Sequence, residues 1–183
     1  MKSVTTCLRD VKLGFIFLFS LTLAGCTTAI DEYQGTQPDF ALFQYFSGSV
    51  KAWGMLQDRS GKQTRRFEVR IKGRVVGEEL ILEEDFIFDD DEEQRRVWTI
   101  TQNRHGRYIG KADDVIGDAI GDVAGNALNW RYVLRVPVDG TTYDISINDW
   151  MYRQNEKHLF NVAQMSKWGV DVGTITLFFE KQE

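Results

Sequence analysis

The sequence has few of the residues from which metal sites and nucleophilic catalytic sites are usually built. Its 183 residues include only 2 Cys, 2 His and 2 Pro. His105 and His158 are far from each other and from either cysteine, so neither has the spacing of a zinc ligand. We therefore predict no bound metal and no cofactor, and we see no catalytic constellation that would make the chain an enzyme.

Positive charge is also in short supply. Lys and Arg together number 22 against 27 Asp and Glu, which gives a formal net charge of −5 at pH 7. A field of this sign repels polyanions, so we expect no nucleic-acid partner. With 43% hydrophobic and 13% aromatic residues, the composition is that of one aromatic-rich globular domain.

The longest apolar run lies at the N-terminus. Basic residues Lys2, Arg9 and Lys12 precede the run at residues 13–19, and small residues follow it. The run is short for a transmembrane helix, whereas a basic start and a small-residue end are typical of a secretory signal peptide. We predict a signal peptide over residues 1–25, which the mature protein lacks.

The segment Leu23-Ala24-Gly25-Cys26 resembles the bacterial lipobox. The resemblance implies cleavage between Gly25 and Cys26 and a diacylglycerol-modified, palmitate-bearing Cys26 as the mature N-terminus. Cleavage nearby by an ordinary peptidase, with Cys26 left as a free thiol, is the alternative. Thr27 stands where an Asp would resemble an inner-membrane retention signal, so we expect an outer-membrane lipid anchor with the domain facing the periplasm.

Residues 26–39 are polar and are expected to form a tether between the lipid and a domain at residues 40–183. Asp39 is followed by apolar residues that end at Gly48, a pattern that predicts a short capped helix or turn.

Beyond this helix the apolar residues alternate with polar ones. Phe67, Val69 and Ile71 alternate with Arg66, Glu68 and similar residues, which predicts a strand with one buried and one solvated face. Similar segments recur, separated by short turn-like stretches. We predict an all-β fold with about eight to ten strands, closed as a single antiparallel up-and-down barrel whose interior holds side chains or one small ligand.

Six segments of this domain resemble a family of uncharacterised bacterial lipoproteins, which brings no assigned activity. They are Ala52-Trp53-Gly54-Met55, Asp58-Arg59-Ser60-Gly61, residues 94–98, residues 125–132, Asp149-Trp150-Met151-Tyr152 and residues 165–169. The architecture more distantly resembles the lipocalin or calycin barrels. Gly48 and Trp53 are spaced more widely than the opening motif of lipocalins, so the resemblance implies no particular ligand.

Glu84 and Arg96 are candidate ligand-binding residues because each shares the apolar face of its strand. Glu84 lies between Leu82 and Phe86, and Arg96 shares its face with Trp98. A turn centred on Asp91 would make Glu84 and Arg96 diagonal neighbours about 7–8 Å apart, and a two-residue shift would place them directly opposite. The pair could hold a polar head group, form a purely structural ion pair, or turn into solvent at a bulge.

A glycine-rich stretch provides the remaining candidates. If residues 117–127 form a strand, Gly117 and Gly121 share a small face that leaves space for a ligand or for another part of the chain. A mobile surface flap is the alternative. Trp130 on the following strand is expected to contribute an aromatic wall.

These features favour a membrane-anchored protein that binds or shuttles a hydrophobic or lipid-like ligand. The alternative is a structural or interaction lipoprotein with a filled barrel and no ligand, whose protein partner the sequence does not identify. An enzyme acting on lipid is a third reading, which no nucleophile and base pair supports.

Overall fold

The computed structural model describes residues 28–138 and 140–183, so the predicted signal peptide and Cys26 lie outside the described residues. The described chain is a closed antiparallel barrel in which every strand pairs with its neighbours in sequence and the last strand pairs with the first. The predicted all-β up-and-down barrel is therefore confirmed. Within the described residues, no helix has the length and apolar character needed to cross a membrane.

The barrel has ten strands, at the upper limit of the predicted number. They are β1 (Gly48–Asp58), β2 (Gln63–Val76), β3 (Glu79–Phe88), β4 (Glu93–Gln102), β5 (Tyr108–Lys111), β6 (Val115–Ala124), β7 (Ala127–Val138), β8 (Thr141–Arg153), β9 (His158–Lys167) and β10 (Val170–Lys181).

Alternation along the strands separates the core from the surface. On β2, Val69 and Ile71 are 1% and 2% exposed, as their period-two pattern predicts. The charged residues that alternate with these apolar ones point outward and pair across neighbouring strands. Lys51 on β1, for example, pairs with Glu68 on β2 at 2.8 Å. The outer surface of the sheet is thus solvated by cross-strand ion pairs while the inner surface forms the core.

The β3–β4 hairpin sets a register different from the expected one. The backbone N–H of Phe88 donates to the carbonyl of Glu92 at 3.0 Å, and Asp91 adopts a left-handed conformation with φ of 64°. This three-residue turn centres the hairpin on Asp90 instead of Asp91. Glu84 therefore lies directly opposite Arg96, and the diagonal arrangement predicted from a turn at Asp91 is wrong.

A short N-terminal segment closes one end of the barrel. It contains a 3-10 turn, η1 (Ile30–Tyr33), and a single helical turn, α1 (Leu42–Phe46). The predicted short helix is present, but Ala41 precedes it where Asp39 was expected as the cap. Leu42 and Phe46 are 1% and 2% exposed because they point into the barrel.

Polar contacts hold α1 in the end of the barrel. The ammonium group of Lys181 donates to the carbonyls of Gln44, Tyr45 and Ser47 at 2.7–2.8 Å, so it satisfies groups left open at the end of the helix. The hydroxyl of Tyr45 donates to the carbonyl of Lys157 at 2.9 Å. Burial lowers the pKa of Lys181.

The segment expected to be a free tether is docked from Ile30 onward. The ring of Tyr33 packs against Trp150 at 5.7 Å between centroids. The hydroxyl of Thr36 donates to the side chain of Asn126 at 2.8 Å, and the backbone N–H of Phe40 donates to the carbonyl of Gly125 at 2.7 Å. These contacts fix residues 30–40 to the β6–β7 turn and to β8.

The barrel with its docked segment is a self-contained folding unit. Its ladder closes on itself, although the four-residue β5 leaves residues 93–98 of β4 unpaired on that side, and its core is built from its own strands and α1. Because α1 covers the end where β1 begins, the opposite end is framed by the β1–β2, β3–β4 and β9–β10 turns. We call this end the mouth.

Replacing Gly73 with alanine tests the seating of α1. An alanine Cβ there would lie 1.7 Å from the carbonyl oxygen of Phe46, so α1 would have to move. We expect Gly73→Ala to lower the free energy of unfolding by about 1–3 kcal/mol, as overpacking does, and to speed amide exchange at Tyr45. Arg74→Ala, on the adjacent exposed position, is the control. Equal melting temperatures and exchange rates for both variants would contradict this role of Gly73.

Candidate functional site

The barrel encloses a cavity of about 280 Å³. Leu42 and Phe46 of α1 form its floor, and Leu56, Arg65 and Val136 line it near the mouth. The volume corresponds to about nine water-sized volumes of roughly 30 Å³ each and lies near the lower limit of typical ligand pockets, roughly 300 Å³. The inward side chains therefore leave the barrel partly open.

Most of the cavity wall is aromatic or aliphatic. Trp98 stacks on Trp130 with 6.4 Å between ring centroids and meets Tyr132 edge-to-face at 5.6 Å. Phe67 and Phe86 pack together on the adjoining wall at 6.0 Å. These rings give the cavity an apolar surface suited to the body of a hydrophobic molecule.

A cluster of charged groups interrupts this apolar wall. The guanidinium group of Arg96 donates to one carboxylate oxygen of Asp114 from Nη2 at 2.7 Å and from Nε at 2.9 Å. Glu84, directly across the ladder, is farther away, with 3.9 Å between its nearest oxygen and Arg96 Nη1. Arg96 is therefore bound mainly to Asp114, which the loop between β5 and β6 supplies.

Asp149 and Asn161 form a second polar group on the wall made by β8 and β9. They are 6% and 1% exposed, and the amide group of Asn161 donates to Oδ1 of Asp149. The same amide group donates to the backbone carbonyl of Trp150 at 3.1 Å. Asn161 thus positions Asp149 toward the cavity.

Burial changes the protonation of the two inward carboxyl groups. It raises the pKa of Glu84 to about 7, although the charge of Arg96 acts in the opposite direction. It also raises the pKa of Asp149 to about 7 against the hydrogen bond from Asn161. Burial lowers the pKa of Arg96, but the carboxylates of Glu84 and Asp114 outweigh this effect, so Arg96 remains charged.

Arg65 is a further cation at the mouth of the cavity. Its guanidinium group lies 3.6 Å from the centroid of the Phe88 ring. It also binds Asp90 at 2.7 Å and Glu92 at 2.6 Å, both in or next to the β3–β4 turn. Arg65 therefore links the start of β2 to that turn.

Four of the six predicted ligand-binding residues line the cavity: Glu84, Arg96, Trp98 and Trp130. Gly121 does not line the cavity but lies against the Trp130 ring, and a Cβ at this position would come within 3.0 Å of that ring. The absence of a side chain at Gly121 therefore makes room for Trp130. Gly117 is exposed, because a register shift between Ile116 and Ile120 breaks the alternation. The prediction that Gly117 shares the inward face is wrong.

Sequence reasoning missed Asp149, Arg65 and Asp114 as site residues. Asp149 lies two residues from Ile147, and Arg65 lies two residues from Phe67, so each shares the inward face of its strand and strand parity could have identified both. Asp114 lies outside the strands, and no pattern around it indicates contact with Arg96. Among the described residues, no group of three or more His, Cys, Asp or Glu is arranged to hold a metal ion.

The stability of the barrel should depend on pH through Glu84. Its pKa is raised above the ordinary value of 4.5, so ionisation is disfavoured in the folded state and stability falls as pH rises from about 4.5 to about 7. Relative to wild type, we expect Glu84→Gln to gain up to about 3 kcal/mol in free energy of unfolding between pH 4 and pH 8. Urea unfolding across this range measures the difference.

Glu83→Gln is the matched control, because Glu83 is the neighbouring residue on the outward face of β3 and pairs with Arg95 at 2.7 Å. The same pH profile in both variants would contradict the burial of an ionisable Glu84.

A family model described as "Protein of unknown function (DUF3833)" matches residues 20–181. No curated protein matches the sequence.

Two solved structures match this chain at 11% sequence identity, and the first of them has a similar fold. One is a protein of unknown function from the DUF3598 family of Nostoc punctiforme, with a TM-score of 0.58 over 80% of this chain and 51% of that one. This chain thus spans about half the length of that neighbour. The other is the S-type phycobiliprotein lyase CPES from Guillardia theta, with a TM-score of 0.48 over 77% of this chain and 90% of that one.

Proposed function

We propose a function for this chain, which belongs to the DUF3833 family of proteins of unknown function: it is a lipoprotein of the bacterial cell envelope that binds or shuttles a small hydrophobic ligand in its barrel. Its lipid anchor lies in the outer membrane and its barrel faces the periplasm.

The open interior of the barrel is the observation that carries this proposal. A cavity of about 280 Å³ lies among aromatic and aliphatic side chains, with a small polar cluster on its walls. An apolar pocket with a few convergent polar groups is the usual form of a small-molecule site. The apolar walls accommodate the body of the ligand, and the cluster around Glu84 and Asp149 accommodates its polar group.

A structural lipoprotein with a filled barrel is less well supported. Filling the interior would require large side chains at nearly all inward positions. The inward positions Ala163, on β9, and Val69, on β2, are small, and both line the cavity.

Binding is favoured over catalysis by the residue types around the cavity. Among the described residues that line it, there is no Ser, Thr, Cys, His or Lys, so no hydroxyl of Ser or Thr, thiol, imidazole or amine is present to act as a nucleophile.

The docked segment determines the orientation of the barrel relative to the membrane if Cys26 carries a lipid. Cys26 and Ile30 are four residues apart, a distance of at most about 14 Å in a fully extended chain. A lipid on Cys26 would therefore hold η1 and the closed end of the barrel near the membrane, and the mouth would face away from it. In this orientation ligand exchange takes place on the side opposite the anchor.

Native mass spectrometry of residues 28–183, secreted into the periplasm of a Gram-negative host, tests ligand binding. We expect one hydrophobic adduct per protein, which lipid extraction then identifies. The double variant Glu84→Ala/Arg96→Ala should retain less of it, because the polar anchor is gone. Glu83→Ala/Arg95→Ala removes the adjacent outward pair and should retain the adduct. A protein that stays free of adduct when envelope lipids are offered would overturn the proposal.

Lipid attachment at Cys26 has a separate test. Mass spectrometry of the full chain expressed in the same host should show loss of residues 1–25 and a diacylglycerol-containing mass on Cys26. Cys26→Ser should lose the lipid and the membrane association, whereas Cys7→Ser should retain both, because Cys7 is removed with the signal peptide. A wild-type protein without lipid would contradict the anchor and leave the cavity proposal standing.

A further inference from the structure

Resting on the proposed function, we infer that the ligand is a hydrophobic amine whose protonated head is held by the carboxyl groups of Glu84 and Asp149. This assigns a chemical class to the ligand and a role to Asp149.

Both arginines that line the cavity are already neutralised. Arg96 is bound to Asp114 by two hydrogen bonds and has Glu84 as its second carboxylate neighbour. Arg65 is bound to Asp90 and Glu92 through Nη2, while its buried Nε has no hydrogen-bond partner among the described residues. Neither guanidinium group is therefore available as the sole partner of an anionic head group.

Each arginine of the cavity lining has carboxylate partners that lie outside the cavity. The charged lining residues are Arg65, Arg96, Glu84 and Asp149, and the partners are Asp90 and Glu92 for Arg65 and Asp114 for Arg96. Counted with these partners, the sum is −3 when all carboxyl groups are ionised and −1 when Glu84 and Asp149 are protonated. The described lining residues include no Lys or His that could reverse this sign. Because the arginines are closely paired and the inward carboxyl groups are not, an ammonium head group is favoured over a carboxylate or phosphate.

Glu84 and Asp149 reach the cavity from different walls. Glu84 is on β3. Its side chain is 14% exposed and faces the cavity. Asp149, on β8, accepts a hydrogen bond from Asn161 at Oδ1, and none of the described side chains or backbone groups donates to its Oδ2. Both carboxyl groups line the same cavity. An ammonium group has three donors, so it can bind more than one carboxyl oxygen there.

The aromatic wall beside these carboxyl groups also favours a cation. The Arg96 guanidinium already lies 5.4 Å from the centroid of Phe86 and 5.9 Å from that of Trp98. Tyr132 packs on Trp98 and lines the same wall. The negative faces of such rings attract cations, most strongly away from water.

Binding of an amine should be linked to proton release. An ammonium group stabilises the ionised carboxyl groups, whose pKa values are raised to about 7 in the free protein. Amine affinity should therefore rise from pH 6 to pH 8. The other charged or titratable groups facing Glu84 and Asp149 are Arg96, Asp114 and Tyr132. Arg96 stays cationic and burial raises the pKa of Tyr132, so neither of these two changes charge in this range.

Matched eight-carbon ligands test the inference. Octylamine, 1-octanol and octanoate have nine or ten non-hydrogen atoms, which suits a cavity of about nine water-sized volumes. We would titrate each into residues 28–183 and follow tryptophan fluorescence, to which the cavity residues Trp98 and Trp130 contribute, with calorimetry as a second readout. At pH 8 we expect octylamine to bind at least about 10-fold more tightly than octanoate, as a charge-assisted hydrogen bond allows.

Substitutions then assign the effect to the two carboxyl groups. Glu84→Gln and Asp149→Asn should each weaken octylamine about 10-fold or more and remove its dependence on pH, while 1-octanol changes less than about threefold. Glu83→Gln and Asp144→Asn make the same chemical changes on the outward faces of β3 and β8 and should leave octylamine binding unchanged.

The outcomes separate this inference from the proposed function. Tighter binding of octanoate, or octylamine binding that neither inward variant weakens, would overturn the amine assignment while a hydrophobic adduct in native mass spectrometry still supports ligand binding. Absence of binding by all three ligands, together with a protein free of adduct, would overturn both.

Discussion

The number of strands in the closed ladder is the constraint on which the rest of the structure depends. In an eight-stranded barrel, side chains can just fill the interior, and each added strand widens it. This barrel closes with ten, and even large inward residues such as Trp98 and Trp130 leave about 280 Å³ open. The same width leaves an end that inward side chains do not cover, and α1 covers it with Leu42 and Phe46.

The wide interior also accounts for the charged groups inside it. A buried ion pair contributes little net stability, because desolvation offsets the attraction between its members. Arg96 is tolerated in the interior because the loop between β5 and β6 supplies Asp114 as a close partner. Since Arg96 is bound mainly to Asp114, the carboxyl group of Glu84 faces the cavity. Asp149 is held on the opposite side by Asn161. The arrangement stabilises the barrel less than an apolar core would, and we attribute it to recognition of a polar group on a ligand.

Strand parity made most of the fold predictable from the sequence. The alternation around Val69 and Ile71 identified the inward face, and the same rule placed Glu84, Arg96 and Trp98 inside. Parity also places Asp149 on the inward face, although parity alone does not show that it belongs to a binding site.

The remaining features depend on contacts that alternation does not encode. The register of Glu84 and Arg96 depends on the left-handed conformation of Asp91, and the exposure of Gly117 depends on a bulge. The partnership of Asp114 with Arg96 and the docking of Tyr33 on Trp150 join parts of the chain that are distant in sequence. The polar composition of residues 26–39 is typical of a free tether. Composition does not reveal that the barrel has a surface on which this segment docks.

The most direct test of the central claim is a high-resolution crystal structure of residues 28–183 purified from the periplasm. The account predicts an open barrel in which electron density for an apolar molecule lies against Trp98 and Trp130, with its polar end at Glu84 and Asp149. A barrel filled by its own side chains, with Glu84 turned out to solvent, would contradict it.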